Sequence, residues 1–241
     1  MTRPEGRRPR DGRAFVTGYA SAGWAALGLV VALAALSVPV GLRPARPPGV
    51  AGVDGGWLGW MLATRSAPLD GLARACDAIW AGPVYVGLCL VAVAVLLIRR
   101  RPLAAAYIVV TVVVASRIGA LMKIVIGRPR PPLTDRLFPA HELAFPSGHS
   151  VDAAALVTAV VLLAVAARPA VRWPAVAVGA ALVALAMWSR VYAGVHWLSD
   201  TVAGALLGTA TALALWCAAG AWTHHRDAGP GPGRGAAGSG R

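Results

Sequence analysis

The chain has 241 residues, of which 57% are hydrophobic and only 14% are charged, and its mean hydropathy is +0.64. Soluble domains are about half apolar and about a quarter charged, so this composition indicates a membrane protein. The net charge of +13 does not indicate a nucleic-acid partner, because the arginines lie singly or in short clusters between apolar runs. Binding to nucleic acid would require a basic face interleaved with aromatic residues.

The chain begins with a polar, Arg-rich segment, residues 1–13, which we predict to be disordered and cytoplasmic. Six apolar stretches follow, each near the ~20 residues that a helix needs to cross the hydrocarbon core. Because lipid offers the backbone no hydrogen-bond partners, these stretches are expected to be helices. They cover residues 17–41, 83–98, 103–126, 150–167, 173–189 and 201–221.

The fold class predicted from these stretches is an all-α polytopic membrane protein with about six transmembrane helices over residues 14–222. Residues 57–80 mix Trp, Leu and Met with Arg and Asp. They are predicted to form an amphipathic helix lying at the membrane interface instead of a seventh span. Residues 223–241 are rich in Gly and Pro and are predicted to form a flexible tail.

Positive charge in the short loops indicates an orientation in the cell membrane. With six crossings, the amino terminus, the cluster Arg99–Arg101, and Arg168 with Arg172 fall on the same side as the carboxyl tail. The positive-inside rule makes that side cytoplasmic. The loops expected to face outward are 42–82, 127–149 and 190–200. The last two also carry basic residues, against the rule, so these residues require a functional explanation.

Nearly all the reactive side chains of the second half lie in three short stretches, residues 123–131, 146–149 and 189–200. Two predicted crossings separate the second stretch from the third, so all three end on the same face of the membrane. This shared face predicts one site.

The third stretch contains a histidine and an aspartate four residues apart. If a helix continues through it, His196 and Asp200 lie one turn apart on the same face. Asp200 then accepts a hydrogen bond from one ring nitrogen and leaves the other unprotonated and nucleophilic. The structural alternative is that the pair caps the start of the sixth helix.

The second stretch has the composition of a helix amino terminus. Ser147 suits an N-cap position, and Gly148 lets backbone amides approach a ligand closely. Such a helix end binds anions, and His149 lies beside it, where it can protonate a leaving oxygen. The alternative is an N-terminal cap with no further role. Asp152, three residues on, is expected to support this stretch or to cap the helix.

The first stretch supplies cations. Lys123, the one lysine among 23 cationic residues, lies late in an apolar run, where it must face a cavity, pair or snorkel to the interface. Arg130 follows it in the chain, and Arg190 adds a third cation from the third stretch. Three converging cations suit a phosphoryl group, whose transition-state charge is spread over three equatorial oxygens. The sequence therefore predicts an anion-binding pocket.

Together the three stretches resemble the motif set of the type 2 phosphatidic acid phosphatase (PAP2) superfamily, which is KxxxxxxRP, PSGH and SRxxxxxHxxxD. Every defining position is present between Lys123 and Asp200, in the right order. The resemblance implies a PAP2-like helical bundle in the membrane. It also implies a phosphatase that hydrolyses a lipid phosphate or diphosphate at the outer face, through a phosphohistidine and without a metal or other cofactor.

The resemblance also implies a role for each motif residue. His196 would be the nucleophile, Asp200 its partner, and His149 the general acid for the leaving group. The groups that would bind the phosphate are Lys123, Arg130, Ser147, Gly148 through its amide, and Arg190. Arg128 lies outside the fixed positions of the motifs and is considered only as an auxiliary phosphate contact.

Two other functions are compatible with these residues. A phosphotransferase of the same superfamily would pass the group to an acceptor other than water. A non-catalytic anion-binding or transport protein is the alternative from a different class, although the charges lie at helix ends and not at the midplane. The sequence does not choose among three substrates: undecaprenyl diphosphate, phosphatidylglycerophosphate and phosphatidic acid. It is equally compatible with a monomer and with a dimer.

Overall fold

The computed structural model describes residues 19–42, 50–140 and 143–228. These residues form eight α-helices and two short 3-10 helices, with no strand in the described ranges. The α-helices are α1 Tyr19–Leu42, α2 Val50–Ala63, α3 Ala67–Trp80, α4 Gly82–Ile98, α5 Pro102–Ile126, α6 Gly148–Ala167, α7 Arg172–Tyr192 and α8 Leu198–Ala228. The 3-10 helices are Leu133–Asp135 and Pro169–Val171. The predicted all-α class is confirmed.

Five helical segments are each long and apolar enough to cross a membrane: Tyr19–Val40, Pro102–Ile126, Gly148–Ala167, Pro169–Tyr192 and Leu198–Arg226. Helices α3 and α4 meet at a bend of 57° and count as a sixth span if the bent pair is taken together. The prediction of about six transmembrane helices in a multi-pass membrane protein is confirmed.

The two ends of the chain lie mostly outside the described residues. The predicted amino-terminal segment 1–13 is outside them altogether, and so are residues 229–241 of the predicted tail. Helix α8, however, runs on to Ala228. Residues 223–228, which the sequence assigned to the tail, therefore continue the last helix.

The region predicted as one amphipathic helix, residues 57–80, is divided between α2 and α3. The chain leaves the helix after Ala63 and re-enters it at Ala67, with Pro68 in the first turn of α3, where its missing N–H costs nothing. Two groups fix this break against the end of α7. Arg65 Nη2 donates to the carbonyl oxygen of Tyr192 at 3.0 Å, and the Ser66 amide donates to the Tyr192 hydroxyl at 3.0 Å.

Helices α6 and α8 pack with their backbones in contact. A Cβ atom at Gly204 would lie 2.6 Å from the carbonyl oxygen of Ser147, and one at Gly208 would collide with the carbonyl oxygen of Val151. Small residues four apart permit such an approach between membrane helices, where hydrophobic driving force is lacking. Helix α1 packs along the other side of α8. The contact places the start of the PSGH motif beside the start of α8.

We predict that Gly208→Ala destabilises the protein by about 1–3 kcal/mol, because the new methyl group collides with backbone atoms that cannot move independently. Thermal unfolding in detergent measures the effect. Gly87→Ala is the matched control, since Gly87 also lies within a helix but has no atom within 4 Å of the added carbon. Equal unfolding midpoints for the two variants would contradict the close packing of α6 and α8.

Candidate active site

The reactive side chains of the three motifs lie at one end of the bundle, where α5 and α7 end and α6 and α8 begin. Lys123 is in the last turn of α5, and Arg190 is in the last turn of α7. Gly148 opens α6, and Asp200 is in the first turn of α8. The antiparallel order of these four helices is what gathers residues that are up to 77 positions apart in the chain.

His196 lies in the connection between α7 and α8, within the loop 190–200 that the sequence predicted, so the continuous helix considered for the His–Asp pair does not form. Helix α7 ends at Tyr192, and Gly194 adopts a left-handed conformation with φ of 70°, which favours glycine. A side chain at Gly194 would also collide with the carbonyl oxygen of Asp135. His196 Nδ1 nevertheless lies 3.5 Å from Asp200 Oδ2, at ion-pair distance but without hydrogen-bond geometry.

The partners of the His196 ring assign its tautomer. Arg130 Nη1 lies 3.0 Å from His196 Nε2. A guanidinium group can only donate, so Nε2 must be the accepting, unprotonated nitrogen. The proton of the neutral ring is then on Nδ1, on the side of Asp200. This is the arrangement that an activated nucleophile requires, with an orienting carboxylate behind the ring.

The surroundings of His196 also favour its neutral form. The side chain is 2% exposed. Burial lowers the pKa of His196 well below 6.5, and the positive charges of Arg130, Arg190 and Lys123 lower this pKa further. The ring is therefore neutral at pH 7.

Asp200 has a structural task as well. Its Oδ2 accepts the backbone N–H of Trp197 at 2.9 Å, which caps the start of α8 in the manner of the carboxylate of a capping box. Its Oδ1 accepts a bond from Arg128 Nη1 at 2.6 Å. One carboxylate therefore faces His196 and also caps the helix, so the two arrangements considered for the pair do not exclude each other.

Arg128 belongs to a buried ion-pair network that the sequence did not reveal. Its Nη2 lies 2.7 Å from Asp54 Oδ2, and both side chains are at most 3% exposed. Asp54, on α2, also accepts the Ser199 amide at 2.9 Å and the Ser199 hydroxyl at 2.6 Å. Both terminal nitrogens of Arg128 thus pair with carboxylates, Asp54 and Asp200. The auxiliary phosphate contact considered for Arg128 is replaced by this structural role.

A second acidic residue missed from the sequence lies against His149. Asp77, on α3, has its Oδ1 3.1 Å from His149 Nε2 and forms an ion pair with Arg190 through the same oxygen. The guanidinium of Arg190 also lies over the ring of Phe138, 5.2 Å from its centroid. One sequence signal could have found Asp77: it lies on the face of α3 that buries Ala73, Cys76 and Trp80.

The other predicted phosphate ligands lie around the same pocket. Lys123 Nζ donates to the carbonyl oxygen of Leu143 at 3.2 Å. Ser147 takes the predicted N-cap position of α6, but its hydroxyl makes no capping bond and instead accepts from Ser150 Oγ at 3.2 Å. Gly148 is the first helical residue, and amides of a first helical turn have no acceptor within the helix.

Asp152 supports the helix that carries His149. It accepts a hydrogen bond from Ser116 Oγ on α5 at 2.6 Å, so it joins α5 to α6 and does not cap α6. Among the described residues, no group of three or more His, Cys, Asp or Glu side chains is arranged to hold a metal ion.

Basic residues of the loops predicted to face outward largely support the backbone near the pocket. Arg65, Arg74 and Arg136 all donate to the connection between α5 and α6. The carbonyl oxygens that accept are those of Pro131, Asp135, Leu137 and Ala140. Together with the buried Arg128, these contacts give a structural reason for positive charge on a side where the positive-inside rule does not expect it.

Comparison with known proteins agrees with this arrangement. The family model for the PAP2 superfamily matches residues 101–224, just over half of the chain. The chain belongs to the PAP2 superfamily. The three PAP2 motifs, residues 123–131, 146–149 and 189–200, all lie within the matched region. Asp54 and Asp77 lie outside it.

Two solved structures share the PAP2 fold. A transmembrane PAP2-type phosphatidylglycerolphosphate phosphatase from Bacillus subtilis has a TM-score of 0.70 and 19% identity, over 85% of this chain and 96% of that one. Aquifex aeolicus LpxE has a TM-score of 0.57 and 22% identity, over 67% of this chain and 93% of that one. No curated protein matches the chain.

We predict that Asp54→Ala destabilises the protein by about 3–5 kcal/mol, because it leaves a buried guanidinium with one of its two carboxylates missing. A double-mutant cycle with Arg128→Met, measured by unfolding in detergent, isolates the pair. The double variant should lose less than the sum of the two single losses. Additive losses would show that the two residues act independently. Asp135→Ala is the control, since its carboxylate contacts only the exposed Thr134 among the bonds described.

Proposed function

We propose that the protein is a membrane phosphatase that hydrolyses a lipid phosphate or lipid diphosphate through a phosphohistidine on His196. The observation that carries the proposal is a buried imidazole with Asp200 behind it and a cation, Arg130, in front of Nε2. Membership of the PAP2 superfamily supports the assignment. The similar Bacillus subtilis structure is a phosphatidylglycerolphosphate phosphatase by its description.

In the first step, Nε2 of His196 attacks phosphorus while the bond from phosphorus to the leaving oxygen breaks. His149 gives its proton to that oxygen, so the product leaves as an alcohol or a lipid monophosphate. Asp200 accepts a hydrogen bond from Nδ1–H of His196 and stabilises the positive charge that forms on this ring, as the carboxylate does in other histidine-based sites.

The cations act on the transferred group. Arg130, Arg190 and Lys123 surround the pocket, and each can pair with an equatorial oxygen as charge spreads over the phosphoryl group. Arg130 exchanges its contact with Nε2 for a phosphate oxygen when the substrate enters, which frees the lone pair of His196. The amides at the start of α6 add hydrogen-bond donors for the phosphoryl oxygens, and the dipole of α6 adds partial positive charge.

In the second step, water attacks the phosphohistidine and the bond between phosphorus and nitrogen breaks. His149, now neutral, takes a proton from the water. Inorganic phosphate leaves, His196 returns to the neutral state, and His149 is protonated again. The cycle therefore closes with both histidines in their starting states and with no other reactant.

The place of the pocket in the fold supports a lipid substrate at the outer face. The pocket lies at the ends of α5 and α7, which start on the opposite side of the membrane. That opposite side carries Arg99–Arg101, Arg168 and Arg172, and the positive-inside rule assigns it to the cytoplasm. An amphiphile can present its head group to such a pocket without leaving the bilayer.

We predict that His196→Ala lowers phosphate release by several orders of magnitude without preventing membrane insertion or folding. The assay uses purified protein in detergent with phosphatidic acid, phosphatidylglycerophosphate and undecaprenyl diphosphate, with and without an alcohol acceptor. Rapid acid-free quenching of the wild type should yield a phosphate on the ring of residue 196. A folded variant that retains turnover would rule out His196 as the nucleophile, and labelled alcohol phosphate would indicate a transferase.

The lowered pKa of His196 predicts the shape of the pH–rate profile. Because the ring stays neutral as the pH falls through 6.5, the loss of kcat/KM caused by its protonation sets in only well below pH 6.5. Activity also declines at high pH, because departure of the leaving group needs a proton donor. The ionisation of the substrate is titrated separately and divided out. A corrected acid limb centred at or above pH 6.5 would contradict the buried environment of His196.

A further inference from the structure

Asp77 on α3 contacts His149 but has no role in the mechanism proposed above. It lies outside the three motifs and outside the region that matches the family. One oxygen, Oδ1, faces His149 Nε2 at 3.1 Å and also pairs with Arg190. The carboxylate is 31% exposed and the imidazole 24%, so both side chains are partly accessible from outside the protein.

We propose that Asp77 is the positioning residue of the general acid: it keeps His149 protonated and oriented for departure of the leaving group. The inference rests on the proposed function, since it assigns a partner to one of its two histidines. His196 then has Asp200 and His149 has Asp77, so each imidazole has its own carboxylate.

The geometry of the contact favours the charged ring. His149 Nε2 is buried and its contact with Asp77 has ion-pair distance without hydrogen-bond geometry. The attraction is therefore mainly between charges, and only a protonated imidazole has the charge that benefits from it. A neutral ring would gain little from a carboxylate in this position.

The other charges around this end of the pocket make such a partner necessary. The charged and titratable groups there are Lys123, Asp152, Arg190 and His196, besides Asp77. Three of these four neighbours carry or can acquire positive charge, which opposes a proton on His149. Asp152 accepts a hydrogen bond from Ser116 on α5. Asp77 is the carboxylate in direct contact with the ring.

The same contact serves both steps of the reaction. In the first, the His149 proton moves to the leaving oxygen as the phosphorus–oxygen bond breaks and the bond from phosphorus to His196 forms. His149 is then neutral beside an ionised Asp77, which remains paired with Arg190. That negative charge favours the return of a proton to His149 from the attacking water in the second step.

The test is Asp77→Asn, which removes the charge and keeps the shape. The kcat/KM value covers the steps up to leaving-group departure, so it is compared for esters with good and poor leaving groups: 4-nitrophenyl, phenyl and benzyl phosphate, and the preferred lipid phosphate. General acid catalysis contributes about 10²–10⁴-fold. We expect a loss of about 100-fold for the benzyl and lipid esters and little change for the nitrophenyl ester. The high-pH limb measured on the lipid substrate should move to lower pH.

Two variants serve as controls, one at the same position and one elsewhere on the same helix. Asp77→Glu retains the charge and should keep the leaving-group dependence of the wild type. Asp70→Asn removes a carboxylate from the same helix, where it accepts a bond from the Tyr192 hydroxyl at 2.7 Å. It should leave both the leaving-group dependence and the high-pH limb unchanged.

Three results would overturn the inference. An equal loss for all four esters would mean that Asp77 acts through Arg190 on phosphate binding. Tighter inhibition by inorganic phosphate with an unchanged leaving-group dependence would mean that Asp77 merely occupies the anion site. An unshifted high-pH limb would mean that His149 does not depend on its charge. A wild type that hydrolyses none of the esters would instead contradict the proposed function.

Discussion

The site depends on the direct contact between the backbones of α6 and α8. Gly204 and Gly208 allow this contact, and the Ser147 amide donates to the carbonyl oxygen of Asp200 at 3.0 Å across it. Since His149 belongs to the start of α6 and His196 immediately precedes α8, the two imidazoles face one pocket only while these helix ends abut. Two helix amino termini then point towards the same place, and their partial positive charges add to those of the cations.

Arg128 and Arg130, two arginines of one short segment, have different partners and different tasks. A buried charge must be paired, and a pocket for phosphate must keep positive charge available. Asp54 and Asp200 engage both arms of Arg128, which thereby holds α2 against the start of α8. Arg130, two residues away, is directed at His196 instead. Arg128 therefore stabilises the fold while Arg130 faces the site, although both belong to one short segment.

Much of the fold and of the site could be predicted from the sequence, because the spans and the motifs are each recognised from residues close together in the chain. Hydropathy locates the spans, since each is a continuous apolar run, and the fixed spacing from Lys123 to Asp200 identifies the motifs. The loop expected over residues 190–200 contains His196, since α7 ends at Tyr192 and α8 begins at Leu198. His196 and Asp200 lie close together although no helix continues through both, because Asp200 is in the first turn of α8. The spacing of the motifs could not assign Asp54 and Asp77 to the site, since these residues approach the motifs only through the packing of α2 and α3.

The position of these two aspartates has a consequence for how the chemistry is controlled. The family match begins at residue 101 and contains every motif residue, whereas Asp54 and Asp77 lie before it, on helices that pack against the motif helices. The amino-terminal helices therefore contribute charge to the site, although every predicted reacting group lies in the matched region. Since the free energy of a charged imidazole depends on the carboxylates near it, substitutions on α2 and α3 can alter the proton balance of the pocket while the motifs stay unchanged. If the proposed function holds, the reacting atoms all belong to the matched region, while part of the charge around them comes from α2 and α3.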